Sequence, residues 1–262
     1  ATYSMKGDKP DMQSLRFEGS LNAPCITPSD VACFVPKLRN LDMPLALNID
    51  FNGTGSSLNV NNLSISTADR GFVLKANAHA LRNRRTTWHA EVSKLFASGD
   101  AISKVYKLAT NNELPAIVHN LGDVSLTAKA DGTDADLSLN AVVGCAPGSV
   151  KLSASKQQKA LHAHVETQNF ALDKLLGTDK TGVVSLSVDA KGSSKDNVSA
   201  SGSIYDICYN GYTYRNIDLK ADYINKVLSA SMAIDDPNVR ATVEGLFEPN
   251  HRAPHLRVNA DV

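Results

Sequence analysis

The feature that most constrains this chain is a two-residue alternation of apolar and polar side chains, which returns in segment after segment. Successive side chains of a strand point to opposite faces of a sheet, so residues at every second position share a face. The pattern predicts an all-β fold, a long antiparallel sheet with one apolar and one polar face. The clearest segments contain Leu45, Leu47, Ile49 and Phe51, then Val124 and Leu126, Leu137 and Leu139, Val184, Leu186 and Val188, Met232 and Ile234, and Val239 and Val243.

Turn residues recur about every ten positions between these segments. Four examples are Asp131–Asp134, Cys145–Gly148, Tyr209–Gly211 and Asp235–Asn238. Gly, Asn and Asp tolerate the positive φ of tight hairpins, so the spacing indicates a meander of short strands.

Three places break the alternation and predict short helices, near 29–35, 100–109 and 170–176. Asp100 is a suitable N-cap for the second helix, and Gly177 a suitable stop for the third. The stretch from Ala109 to Gly122 is expected to be a linker. We therefore expect two parts of one sheet, residues 1–120 and 121–262.

Charge and length narrow the function classes. The 262 residues carry 27 basic and 27 acidic side chains, and the basic ones are scattered apart from Arg82, Arg84 and Arg85. Binding to a nucleic-acid phosphate backbone needs clustered positive charge, so nucleic acid is not an expected partner.

No apolar run reaches the roughly 20 residues of a spanning helix, and the N-terminus lacks a signal peptide. The alternation continues to the last residue, so we expect the chain to be an internal piece of a longer protein.

Catalytic and metal-binding signatures are weak. No Gly-rich phosphate loop, HExxH or GxSxG is present, so we expect no enzyme activity and no cofactor. His162 and His164 share one strand face, but with no third ligand a solvated face is the better interpretation than a metal site. Asp235–Asp236 is better explained by a hairpin turn than by paired catalytic carboxylates. Tyrosines near this turn, including Tyr212 and Tyr214, fit cross-strand packing better than a carbohydrate platform.

Four cysteines, Cys25, Cys33, Cys145 and Cys208, are widely spaced. A Cys25–Cys33 disulfide and buried free thiols both remain open, because the sequence cannot choose between them.

Several short motifs follow one another along the chain. The first is Ile26-Thr27-Pro28-Ser29-Asp30-Val31-Ala32-Cys33-Phe34-Val35-Pro36-Lys37-Leu38, followed by a strand, a Gly53-Thr54 turn and a second strand. Further motifs are Leu114-Pro115 with Leu121-Gly122, Phe170-Ala171-Leu172 with Leu176-Gly177, and Tyr209–Ile217 leading to Asp235–Asn238. In their order and approximate spacing these motifs resemble the TamB/AsmA-like family of the Bacteroidetes type.

The resemblance implies a sheet curled into a U-shaped groove in the periplasm, belonging to a protein held in the inner membrane by an N-terminal anchor outside this sequence. It also implies phospholipid transfer between the two membranes and an Omp85-type barrel as partner. No catalytic residue belongs to the family.

The residues themselves point the same way. Three short helices are too few to cover about sixteen strands, which would extend roughly 75 Å at ~4.8 Å per strand. The apolar face is therefore expected to bind acyl chains. We expect the groove to be lined by Leu45, Leu47, Ile49, Phe51, Leu126, Leu137, Leu139, Val184, Leu186, Val188, Ile234 and Val243.

Two alternatives stay open. One is a scaffold or chaperone for outer-membrane barrel assembly that carries no lipid. The other is a closed β-sandwich or solenoid acting as an adhesin or polysaccharide enzyme, with a filled core.

Overall fold

The computed structural model describes residues 2–6, 9–31, 43–194, 197–248 and 255–261. These residues form sixteen strands of one antiparallel sheet, whose order in the sheet is their order along the chain. The predicted all-β fold and antiparallel meander are confirmed. The chain divides into two compact units, Ala1–Asp134 and Ala135–Val262.

The first unit contains seven strands among its described residues. They are β1 (Thr2–Lys6), β2 (Lys9–Ile26), β3 (Leu45–Thr54), β4 (Ser57–Thr67), β5 (Phe72–Arg82), β6 (Thr86–Ala97) and β7 (Val124–Thr133). A 3-10 turn, Pro28–Val31, follows β2. Residues 32–35 of the helix expected near 29–35 lie outside the described residues.

The second unit contains nine strands among its described residues. They are β8 (Leu137–Cys145), β9 (Gly148–Gln157), β10 (Ala160–Ala171), β11 (Thr181–Ser194), β12 (Asn197–Tyr209), β13 (Tyr212–Ile224), β14 (Val227–Asp236), β15 (Val239–Glu248) and β16 (His255–Asp261). Hairpin turns lie where expected between Cys145 and Gly148, Tyr209 and Tyr212, and Asp236 and Val239.

One expected turn is displaced. β7 runs through Asp131–Thr133 instead of turning there. Gly132 lies directly beneath the ring of Trp88 on β6, and a Cβ at Gly132 would come 2.4 Å from Cε2 of the indole. The glycine therefore makes room for a cross-strand aromatic, and the chain turns only after it.

Among the described residues, three α-helices interrupt the strands: α1 (Gly99–Thr110), α2 (Ala116–His119) and α3 (Leu172–Leu176). The short α2 lies in the stretch that was expected to be a linker. Ser98, not Asp100, is the N-cap of α1, because its Oγ accepts a hydrogen bond from the Ala101 N–H at 3.2 Å. Asp100 instead lies in the first turn, where a carboxylate favours the helix dipole. Gly177 ends α3 in the left-handed conformation, as expected.

Candidate functional site

The apolar face of the second unit is the candidate site. In that face β11 to β16 border an open recess of about 390 Å³. Its apolar lining residues include Val188, Leu219, Met232, Val243 and Val258. Most are half-buried, and Val258 is 57% exposed. The apolar side chains therefore keep contact with solvent and leave space that a ligand could fill.

The strand register explains why the recess exists. One small residue from each of seven neighbouring strands, β9 to β15, falls in a single row across the sheet. We call this row the small-residue furrow. It consists of Ala154, Ala163, Ala190, Ala200, Ala221, Ala230 and Gly245.

Larger side chains border the furrow. The row on one side carries Leu152, Val165, Val188, Leu219, Met232 and Val243, with Gly202 at its β12 position. The row on the other side carries Leu161, Val198, Tyr223, Leu228 and Phe247, with Lys156 at its β9 position and Gly192 at its β11 position. A line of Cβ-sized side chains between two bulkier rows makes a shallow channel that crosses the strands. At 4.7–4.9 Å between strands, the furrow is about 29 Å long.

The apolar face of the first unit has a different surface shape. Two aromatic rings on it lie over glycines of the neighbouring strand, Phe51 over Gly19 and Phe17 over Gly53. The rings fill the space that each missing side chain leaves. Leu45, Leu47, Ile49 and Phe51 are all half-buried on β3.

The predicted groove residues fall into three classes of exposure. Val184 is buried, at 4% exposure, and Leu137 is exposed. The other ten are half-buried: Leu45, Leu47, Ile49, Phe51, Leu126, Leu139, Leu186, Val188, Ile234 and Val243. Among the twelve, Val188 and Val243 line the recess. The alternation identified the face, but the furrow residues were missed because alternation does not say which residues stand opposite each other.

One end of the second unit is packed, in contrast to the recess. We call it the closed end and define it by Thr167, Phe170, Val184, Ser185, Ile217 and Asp236, all buried. Phe170 and Val184 pair across β10 and β11, next to which α3 packs. The Thr167 hydroxyl donates to the Ser149 carbonyl at 2.7 Å, and the Asn169 N–H donates to Ser185 Oγ at 3.1 Å. The Thr167 and Ser185 hydroxyls are thus hydrogen-bonded, whereas three buried side-chain oxygens nearby have no hydrogen-bond partner among the described residues: Asp173 Oδ1, Thr181 Oγ1 and Asp206 Oδ1.

Asp236 organises the turn at this end. Its Oδ1 accepts from the Tyr212 hydroxyl at 2.5 Å and from the Asn238 N–H at 3.0 Å, and its Oδ2 accepts from the Arg215 N–H at 3.1 Å. These donors, the tyrosine first, hold the pKa of Asp236 below its ordinary value. In turn, the hydrogen bond to the Asp236 carboxylate raises the pKa of Tyr212. The carboxylate is a structural element of a hairpin, in agreement with the turn interpretation of Asp235–Asn238.

The tyrosines near this turn pack against each other. The rings of Tyr212 and Tyr214 are 4.7 Å apart, edge to face, and Tyr209 pairs with Tyr212 across the hairpin. Because the Tyr212 hydroxyl already bonds Asp236 and Asn238, it is engaged within the protein. The ring contact joins two residues of one strand, β13, so cross-strand packing of tyrosine rings stays a prediction.

The polar face carries a small ionic cluster on β10 and β11. Asp189 Oδ1 lies 3.1 Å from His162 Nε2 and 3.2 Å from His164 Nδ1. The two histidines, His164 first, lower the pKa of Asp189. Within the described residues, no three His, Cys, Asp or Glu side chains are arranged to hold a metal ion.

The described cysteines, Cys25, Cys145 and Cys208, are free thiols. Cys25 is free and exposed, so it forms neither the disulfide nor the buried thiol that the sequence left open, and Cys33 lies outside the described residues.

In the part of the chain that the structure describes, no helix has the length and apolar character needed to cross a membrane. Comparison of the chain with family models, with curated proteins and with solved structures gives no match. The candidate site therefore rests on its own geometry: an apolar face with a furrow, open beside a packed end.

Proposed function

We propose that this chain is a segment of a lipid conduit, whose sheet curls into a U-shaped groove and carries phospholipid acyl chains along its apolar face. The observation that supports this most is the open recess over the small-residue furrow. A soluble sheet normally covers its apolar face with another layer. Here the apolar side chains that border the furrow are half-buried or, as for Leu161 and Leu228, exposed, and an acyl chain would complete their burial.

The energetics suit a mobile hydrocarbon. Each methylene moved from water to an apolar surface contributes about 0.8 kcal/mol, without any directional contact. The furrow length of about 29 Å exceeds the ~15 Å that one leaflet of acyl chains occupies in a bilayer. Neighbouring positions in the row are almost equivalent, because six of the seven residues are alanine. An acyl chain could therefore move along the furrow without being held in a deep energy minimum at any one position.

The cellular setting is part of the same proposal and rests on the resemblance to the TamB/AsmA-like family. The segment would lie in the periplasm, within a protein anchored in the inner membrane. An Omp85-type barrel of the outer membrane would be its partner, and outer-membrane protein assembly would depend on it. The segment would need no catalytic residue, cofactor or metal.

The direct test places a photo-crosslinking amino acid at Met232, which lines the recess. Its neighbour Ala233 is exposed on the opposite face of β14 and provides the matched control. A second pair, Leu186 and Ser187 on β11, repeats the comparison closer to the closed end. After irradiation in cells, mass spectrometry of the purified protein should detect phospholipid adducts at Met232 and Leu186, and none at Ala233 and Ser187.

Other adducts would support other functions. Protein adducts at Met232 in place of lipid would favour a scaffold for barrel assembly. The absence of any adduct at all four positions would reject the lipid conduit and favour an adhesin-like fold.

A further inference from the structure

A cluster of arginines lies at one end of the first unit, in the hairpin between β5 and β6. Arg82 ends β5, and Arg84 and Arg85 are in the turn that leads to β6. All three are exposed. None of the ion pairs among the described residues involves them. Three unpaired guanidinium groups within four residues repel one another, and an anion would relieve that repulsion.

The register places this cluster at the edge of the apolar face. Ala80 stands opposite Leu58 and Trp88 in the last apolar row of the unit. Arg82 follows Ala80 by two residues and so emerges on the same face, about 7 Å further along the strand. Leu58, in that last row, is 45% exposed. A cationic group thus borders an accessible apolar surface.

Backbone contacts fix the hairpin that carries the arginines. The Arg82 N–H donates to the Ser56 carbonyl at 2.6 Å, which joins the hairpin to the turn between β3 and β4. The Thr86 N–H donates to Asp134 Oδ2 at 3.2 Å, which joins the hairpin to the residue that follows β7. The arginines therefore project from an anchored turn.

We infer that Arg82, Arg84 and Arg85 bind the phosphate of a phospholipid whose acyl chains lie on the adjoining apolar face. Guanidinium groups bind phosphate through paired, charge-assisted hydrogen bonds. In a glycerophospholipid, a three-carbon glycerol unit separates the phosphate from the acyl chains, which suits a cationic rim beside an apolar row. Trp88 in that row is the kind of aromatic that sits where hydrocarbon meets polar groups. This inference rests on the proposed function and specifies its ligand: lipids with a phosphate, in preference to neutral diacylglycerol.

The test uses a photo-crosslinking amino acid at Leu58, with phosphatidylglycerol or diacylglycerol of the same acyl chains in non-ionic detergent micelles. The unaltered chain should form adducts with phosphatidylglycerol at a yield about tenfold higher than with diacylglycerol. In the triple variant Arg82→Gln, Arg84→Gln, Arg85→Gln the two yields should become equal. A control variant, Arg70→Gln, Lys75→Gln, Lys94→Gln, removes the same charge from exposed positions elsewhere in the unit and should keep the preference.

Each other outcome has a definite meaning. Equal yields for the two lipids in the unaltered chain would overturn the phosphate inference and leave acyl-chain binding standing. An equal loss of preference in both triple variants would also overturn it, since net charge alone would then be responsible. Displacement of phosphatidylglycerol by an equal concentration of inorganic phosphate would mean a free-anion site, not a lipid site. No adduct with either lipid, at Leu58 or at Met232, would reject the proposed function together with this inference.

Discussion

The closed end and the small-residue furrow belong to the same strands, yet their side chains meet different surroundings. At the closed end Phe170 and Val184 are 8% and 4% exposed, and the Thr167 and Ser185 hydroxyls are hydrogen-bonded. A few residues along β11, Val188 and Ala190 face an open recess and its furrow. The difference shows that two regions of one sheet can have different roles. The closed end supplies packing free energy, and the furrow leaves apolar area free for a ligand.

The largest expected effect comes from removing the aromatic ring at the closed end. Phe170→Ala should lower the free energy of unfolding by about 3–5 kcal/mol, because it deletes a buried ring and leaves a cavity. Phe247→Ala is the matched control, since Phe247 is half-buried on the apolar face. It should cost only about 1–2 kcal/mol, the transfer free energy of the part it buries. Urea unfolding followed by circular dichroism measures both, and equal losses would mean that the two regions do not differ.

A smaller effect is expected from enlarging two alanines of the second unit, one that is buried outside the closed end and one that lies in the furrow. Ala141 on β8 is 9% exposed, so Ala141→Leu overpacks a filled position and should cost about 1–3 kcal/mol. Ala221 lies in the furrow beside open space, and Ala221→Leu should change stability by only about 0.5 kcal/mol. Because the added isobutyl group would block the furrow, the lipid adduct at Met232 should fall in Ala221→Leu.

Measuring both the stability and the lipid adduct of the two alanine variants separates effects on stability from effects on function. A large loss of stability in Ala221→Leu would show that the furrow is filled in solution. An unchanged lipid adduct in a stable Ala221→Leu variant would place the acyl chain elsewhere on the face.

The sequence was sufficient to predict the class of fold and the composition of its faces. Alternation needs only neighbouring residues, which is why the strands around Leu45, Leu137 and Val184 could be recognised. Local turn chemistry likewise identified the hairpins at Cys145–Gly148 and Asp235–Asn238.

The register of the strands could not be predicted from the sequence, because it depends on which residues pair across strands. The pairing of β10 with β11 shifts between Thr167 and Phe170, and that of β4 with β5 shifts between Val60 and Leu63. Each irregularity changes which residues stand opposite each other further along the strand. The furrow is a product of this register. Its alanines are visible in the sequence, but their alignment into one row is not.

The exposure of individual side chains could not be predicted from the sequence either. Val184 and Val188 lie on the same face of β11 and have the same side chain, yet one is buried and the other lines the recess. The packing of α3 beside β11 accompanies the difference, and helix docking is a tertiary event that alternation does not encode.

The smallest expected effect concerns two carboxylates whose pKa values both lie below the ordinary value. In each case the folded chain favours the ionised form, so the carboxylate contributes stability that is present above pH 3.8, the ordinary pKa, and is lost as the pH falls through the lower pKa of the folded state. Asp236 is 2% exposed and accepts three hydrogen bonds, whereas Asp189 is partly exposed and pairs with His162 and His164.

Asp236→Asn should therefore lower the midpoint of thermal unfolding at pH 7 and flatten its decline below pH 4. Asp189→Asn should do the same to a much smaller degree, because exposed ion pairs contribute little and are screened by salt. Thermal unfolding between pH 2.5 and 7, at low ionic strength and in 1 M NaCl, checks both variants. Salt should abolish the effect of Asp189→Asn and leave most of that of Asp236→Asn. If the two variants respond alike to salt, the Asp236 carboxylate is solvated, and the closed end is as open as the furrow.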